Sequence, residues 1–123
     1  MNEAIKYAKE KTVRGGKPIA SFQMIQWLIA DIASELEAAR WMTYHLAFQA
    51  DRGENIINSS AMTKLFVTET ADRVVRNALQ VHGSYGITKD FKIERLYRDV
   101  KAGTLVEGTN ELQRVIVASN LLK

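Results

Sequence analysis

Long stretches free of helix breakers constrain this chain more than any other feature. Its one proline, Pro18, and its seven glycines punctuate stretches in which apolar residues recur every three or four positions. Over residues 19–50 the recurring set is Phe22, Ile25, Ile29, Ile32, Leu36, Ala39, Thr43, Leu46 and Ala50, which predicts one long amphipathic helix. The polar run Asp51-Arg52-Gly53-Glu54-Asn55 ends it. Asn58 or Ser59 is then placed to cap a second long helix through Ala61, Leu65, Thr68, Val75, Ala78 and Leu79, which stops at Gly83.

Shorter elements flank this pair. Residues 3–13 read as a helix with Ala4, Ile5 and Ala8 on its apolar side, closed by Gly15-Gly16-Lys17-Pro18. After Gly83-Ser84-Tyr85-Gly86 come a short amphipathic piece over residues 93–97 and a loop near Ala102-Gly103-Thr104. A final helix follows over residues 109–122. No segment reads as a strand. Amphipathic helices joined by short loops imply an all-α fold, an antiparallel four-helix bundle in a single domain over residues 1–123. The opening helix has no cap or lead-in, as expected of a chain that starts partway through a larger design.

At 123 residues, 46% hydrophobic and 25% charged, the chain can bury a core without staples. It has no cysteine, which excludes disulfides, thiolate metal sites and cysteine nucleophiles and makes a cytoplasmic protein the default expectation. No run reaches a membrane-span length, and Met1-Asn2-Glu3 lacks the start of a signal peptide. The net charge of +3 is spread out, and the basic set Lys92, Arg95, Arg98 and Lys101 is interrupted by Glu94 and Asp99, against the unbroken stripe nucleic acid would need. His45 and His82 lack metal-ligand spacing, and Ser59 and Ser60 lack a nucleophile-elbow pattern. Arg95, Arg98 and Asp99 read as a local ion-pair network.

Two motifs remain. In Glu107-Gly108-Thr109-Asn110-Glu111, Thr109 is a good N-cap and Glu111 falls in the first helical turn, with Leu112, Val115, Ile116 and Leu122 at helical spacing beyond. Glu107 then stands on a tight approach where a base can project into a cavity while the helix start offers free N–H groups. A lone Glu before a cap is, equally, usually a solvated carboxylate. In Gln80-Val81-His82-Gly83-Ser84-Tyr85-Gly86 the glycines follow a helix and not a strand, which rules out the dinucleotide fingerprint of a doubly wound fold. They mark either a helix C-cap with a turn or backbone N–H groups brought close to a ligand.

Together the residues resemble the C-terminal helical domain of the flavin-dependent acyl-CoA dehydrogenases. The carriers are Gly16-Lys17-Pro18-Ile19-Ala20 with Phe22-Gln23, Ala30-Asp31-Ile32-Ala33, Glu37-Ala38-Ala39-Arg40 and Ala61-Met62-Thr63-Lys64-Leu65-Phe66. The series continues with residues 80–86, Glu94-Arg95-Leu96-Tyr97-Arg98-Asp99 and Glu107-Gly108-Thr109-Asn110-Glu111-Leu112-Gln113-Arg114. In the family this domain follows an N-terminal helical domain and a middle β-domain, neither of which these residues include. The resemblance implies that Glu107 is the base that takes the α-proton of an acyl-CoA thioester while the β-hydrogen leaves as hydride to FAD. A carboxylate does this best in a dry site where desolvation raises its pKa. The main-chain N–H of the same Glu helps to polarise the thioester carbonyl, with Gly108 against the substrate.

The resemblance further implies FAD contacts at Gln80, Val81, His82, Gly83 and Ser84, which would meet a neighbouring subunit's flavin, and at Thr109, Glu111 and Gln23. The family's flavin-phosphate arginine stands eleven residues before Gln23, a position occupied here by Thr12. A one-residue shift lets Arg14 or Lys11 substitute. Ser84 replaces the second glycine of the usual pair. The implied partners are an acyl-CoA substrate, an electron-transfer flavoprotein or similar acceptor, and further copies of the chain in a dimer or tetramer. The isolated chain is expected to show little or no dehydrogenase activity. The competing reading is a self-associating helical bundle with no chemistry of its own, whose apolar faces serve assembly.

Overall fold

The computed structural model describes residues 1–13 and 15–123. Helix α1 spans Asn2–Glu10, α2 Gln23–Asp51, α3 Ile57–His82, α4 Lys92–Gly103 and α5 Asn110–Leu121. Single 3-10 turns at Ile19–Ser21 and Gly83–Ile87 lead into α2 and out of α3. Among the described residues there is no strand, only an isolated bridge between Thr12 and Pro18. The helical bundle expected from the sequence is the observed architecture.

Helix α3 is its axis. It packs against α1, α2, α4 and α5, whereas among the described residues α2 meets neither α4 nor α5, and these two do not meet each other. The core gathers Ala4 and Ala8 of α1, Ile32 of α2, Val74, Ala78 and Val81 of α3, and Ile93 of α4. Small residues dominate α1's buried side, so its backbone lies close to its neighbours.

Several boundaries differ from the sequence reading, each for a local reason. Helix α1 stops at Glu10 because the segments on either side of residue 14 pair with each other, Val13 N–H donating to Lys17 O and Ile19 N–H to Lys11 O. Pro18 then starts a 3-10 turn, so α2 begins at Gln23. The α3 N-terminus is held by Asn55, whose Oδ1 accepts from Ile57 N–H at 3.1 Å; Asn58 and Ser59 already lie inside the helix. Helix α4 is longer than expected. Its exposed side carries the i,i+4 pairs Glu94–Arg98 (2.6 Å) and Arg95–Asp99 (4.0 Å), which support a helix with few apolar residues. The Arg98 hydrogen bond holds the Glu94 carboxyl below its ordinary range.

Helix α2 is apolar on more than its core side. Besides Ile32 and Ala39, which are buried, it presents Met24, Trp27, Trp41, Tyr44 and Phe48 to solvent. Trp41 and Tyr44 meet edge to face at 6.0 Å. An exposed apolar row of this kind commonly marks a contact surface.

Candidate functional site

The loop between α4 and α5 is built around two consecutive left-handed residues. Glu107 has φ 53° and Gly108 φ 81°, and Glu107 is the one non-glycine with positive φ among the described residues. Such a conformation is strained for a residue with a β-carbon and persists only where its surroundings hold it. Thr104 O accepts from Asn110 N–H at 3.1 Å and cinches the base of the loop. Thr109 is the N-cap of α5, its hydroxyl accepting from Leu112 N–H at 3.3 Å, as the sequence implied. Glu111 in the first turn has its carboxyl held below the ordinary range, first by its own backbone N–H and then by the Thr109 hydroxyl.

The loop's carbonyls face inward. Gln113 Nε2 donates to the carbonyls of Glu107 and Gly108, both at 3.2 Å, and Lys64 Nζ donates to Gly108 O at 2.8 Å. Lys64 also reaches Asn110 Oδ1 at 2.7 Å, which accepts in addition from Thr68 Oγ1 at 3.1 Å. Asn110 and Gln113 are buried. With the carbonyls turned in, the N–H groups of Glu107, Gly108 and Thr109 have no hydrogen-bond partner among the described residues. The Glu107 side chain is exposed and projects from the loop with free donors beside it. This geometry suits a proton acceptor next to a polarisable carbonyl. The described residues leave the Glu107 side chain open to solvent.

Gly108 is favoured by its left-handed φ, and an added Cβ, 2.8 Å from Gln113 Nε2, would push that flexible amide off the loop carbonyls. Sequence reasoning missed Lys64, Thr68 and Gln113 as parts of the loop. The available signal was Lys64 and Thr68 standing at helical spacing with the buried Ala61, on a side of α3 that should be apolar.

The second group of predicted residues ends α3. Gln80, Gly83 and Ser84 are exposed, whereas Val81 and His82 are buried, so only their backbone can meet a ligand without unpacking the core. The His82 ring is itself a core element. Its Nδ1 donates to Ala78 O at 2.7 Å, it stacks on Tyr7 at 4.5 Å, and it meets the edge of Phe91 at 5.5 Å. Gly83 has φ 60° and nothing near its absent Cβ. Gly86 is different: a Cβ there would stand 2.9 Å from Leu79 O, so its smallness serves close packing within the chain. Lys11 Nζ sits 4.6 Å from the centroid of the Tyr85 ring, in a groove shared with Gly83 and Ser84. Arg14 lies outside the described residues.

Gln23 begins α2, and α2 runs antiparallel to α3, with Glu35 bonded to Arg73 at 3.2 Å. Gln23 therefore belongs to the same end of the bundle as residues 80–84. The Glu107 loop is fastened to Lys64, near the other end of α3; the span from Lys64 to His82 is about 27 Å at 1.5 Å per residue. The structure thus gathers the predicted residues into two clusters and holds them apart.

Comparison with known proteins shows the family and the fold. The family model described as "Acyl-CoA dehydrogenase, C-terminal domain" matches residues 1–122. The 3-(aryl)acrylate reductase of Clostridium sporogenes is 46% identical over 123 residues, covering 100% of this chain and 32% of that protein. The caffeyl-CoA reductase-Etf complex subunit CarC of Acetobacterium woodii is 42% identical, again over 100% of this chain and 32% of its own length. Among solved structures, butyryl-CoA dehydrogenase from Megasphaera elsdenii superimposes with a TM-score of 0.95 at 33% identity, over 99% of this chain and 32% of that one. The chain spans about a third of the length of each of these relatives.

Proposed function

Because the chain belongs to the acyl-CoA dehydrogenase C-terminal domain family, we propose that it is the base-bearing part of an FAD-dependent enzyme that interconverts an acyl-CoA and its α,β-unsaturated counterpart. The observation that carries the proposal is the Glu107 turn. A strained, left-handed glutamate is clamped through its carbonyl while its carboxylate and N–H stay free.

In this reading the Glu107 carboxylate takes the α-proton, and the Glu107 N–H donates to the thioester oxygen as negative charge develops there. Gly108 lets the substrate approach the backbone. Bound FAD supplies the hydride acceptor for the β-hydrogen. Run in reverse, the same carboxyl delivers a proton to the α-carbon of an enoyl thioester. The names of the Clostridium and Acetobacterium relatives, both reductases, make that direction as reasonable as dehydrogenation. Desolvation of the carboxylate, needed to make it an effective base, would come from parts of the enzyme beyond these residues, so residues 1–123 alone do not complete the site.

Flavin contact is proposed at two places. Thr109 and Glu111 stand beside the loop, and Gln23, Gln80, Gly83, Ser84 and the backbone of Val81 and His82 form the far cluster. Lys11, lying against Tyr85 beside Gly83 and Ser84, supports the reading that a cation at this turn meets the flavin phosphate. The distance of about 27 Å between the clusters favours their serving two different flavins, which requires more than one copy of the chain. The exposed aromatic row of α2 supplies apolar surface for such assembly. An electron-transfer flavoprotein is proposed as redox partner by analogy with the Acetobacterium complex.

The test is Glu107→Gln in the complete enzyme. Flavin content should stay as in wild type, while turnover falls by about 10²-fold or more, as for loss of a general base. Unchanged turnover would reject the base assignment and favour a bundle that only assembles.

A further inference from the structure

We propose that Lys64 is a positioning residue for Glu107: from α3 it holds the carbonyl side of the left-handed turn, so that the carboxylate and the free N–H project together. This rests on the reading of Glu107 given above, and it adds a residue of a different element to the reaction.

Lys64 is half-buried, and among the described residues no carboxylate lies within ion-pair distance of it. Partly buried ammonium groups commonly pair with a carboxylate. Lys64 instead spends two of its three donors on neutral oxygens, Gly108 O at 2.8 Å and Asn110 Oδ1 at 2.7 Å. Charge-assisted bonds of this length are stronger and more directional than neutral ones. Their effect is geometric, because Gly108 O is held from two helices at once, by Lys64 of α3 and by Gln113 of α5.

The same Gln113 amide holds Glu107 O, so two successive peptide planes are turned with their carbonyls inward. Residues 107 and 108 both stand at positive φ, and because C=O and N–H point opposite ways across a trans peptide, these inward carbonyls turn the N–H groups of Gly108 and Thr109 outward. Asn110, buried and bonded to Thr104 O through its N–H, passes the Lys64 contact on to the loop's other end. Removing the Lys64 donors leaves Gln113 as the only side chain on these carbonyls and lets the backbone at Glu107 relax toward ordinary φ, which swings the carboxylate away from its own N–H.

Lys64→Met keeps the length of the side chain and removes its donors. In the complete enzyme we expect kcat per bound flavin to fall about 10- to 100-fold, the scale of an ångström-sized misplacement, with KM within about twofold. The deuterium isotope effect with α-deuterated substrate should rise as proton transfer becomes limiting. Ile32→Ala, which thins the α2–α3 core away from the loop, serves as the comparison for mere loosening of the bundle. Wild-type kcat per flavin in Lys64→Met, or a loss matched by Ile32→Ala, would overturn the proposal. Should Lys64→Met yield no holoenzyme, Lys64→Gln is measured by the same criteria.

A crystal structure of the Lys64 variant separates this claim from the base assignment. A residue 107 still left-handed refutes the positioning role whatever Glu107→Gln does. A relaxed turn alongside a fully active Glu107→Gln keeps the clamp and rejects the base.

Discussion

Replacing Glu107 by glycine should stabilise the fold while removing the proposed base. The carboxylate makes no hydrogen bond or ion pair among the described residues, and the side chain is exposed, so its deletion loses no packing. What the residue does carry is φ 53°. A left-handed conformation costs a residue with a β-carbon roughly 1–2 kcal/mol, a cost glycine avoids. Glycine gives back about 0.5–1 kcal/mol through the greater freedom of its unfolded chain. The net expectation is a gain of about 0.5–1 kcal/mol, a rise of about 2–4 °C in Tm for a chain of this size. Calorimetry or urea unfolding of Glu107→Gly beside Glu107→Ala measures it, since alanine deletes the same carboxylate and keeps the strain. Glycine more stable than alanine, with wild type close to alanine, is the expected order. Equal stability of the two variants would refute the claim that the turn holds strain.

Gly86→Ala should destabilise by about 1–3 kcal/mol, because its Cβ would meet a backbone oxygen 2.9 Å away that has no rotamer to move into; a neutral result in urea unfolding would contradict this packing. Thr109→Ala should cost about 1 kcal/mol through the lost α5 cap, read in the same assay. NMR titration of that variant should also show the Glu111 carboxyl rising toward its ordinary value, because the second of its two hydrogen-bond partners is gone. Glu111's folded-state pKa lies below its unfolded value of 4.5, so its contribution to stability is present above that pH and fades as pH falls through the lower folded value; Thr109→Ala should narrow this acid dependence.

The features legible in sequence were those written in nearest neighbours and periods. The apolar spacing through Ile25, Ile32 and Ala39 gave α2, and Thr109 ahead of Glu111 gave the start of α5, because capping acts over three residues. Helix α4 was read too short since its support is charge pairing, and Gly103 looked like a breaker. In the structure Gly103 ends α4, where an added Cβ would sit 3.4 Å from Thr68 Cγ2, so its smallness eases the approach to α3. The clamp on Glu107 could not be read, because Lys64 and Gly108 meet only once α3 and α5 have packed. His82 is a further case: the resemblance implied a flavin contact over residues 80–84, and it could not show that the His82 ring packs between Tyr7 and Phe91, which leaves only its backbone facing outward.

The arrangement around α3 also decides how the molecule comes apart. Among the described residues, helix α5 contacts α3 and no other helix, whereas α2 also touches α1 and the Ile19–Ser21 turn and α4 also touches the Gly83–Ile87 turn, so peeling α5 away breaks a single interface and leaves the others in place. Cooperativity is thus routed mainly through one rod. Openings at the Glu107 loop can occur while α2 stays docked. Loss of α3 itself has no such partial form: it releases the Glu107 loop, the Gly83 turn and the aromatic row of α2 in one event.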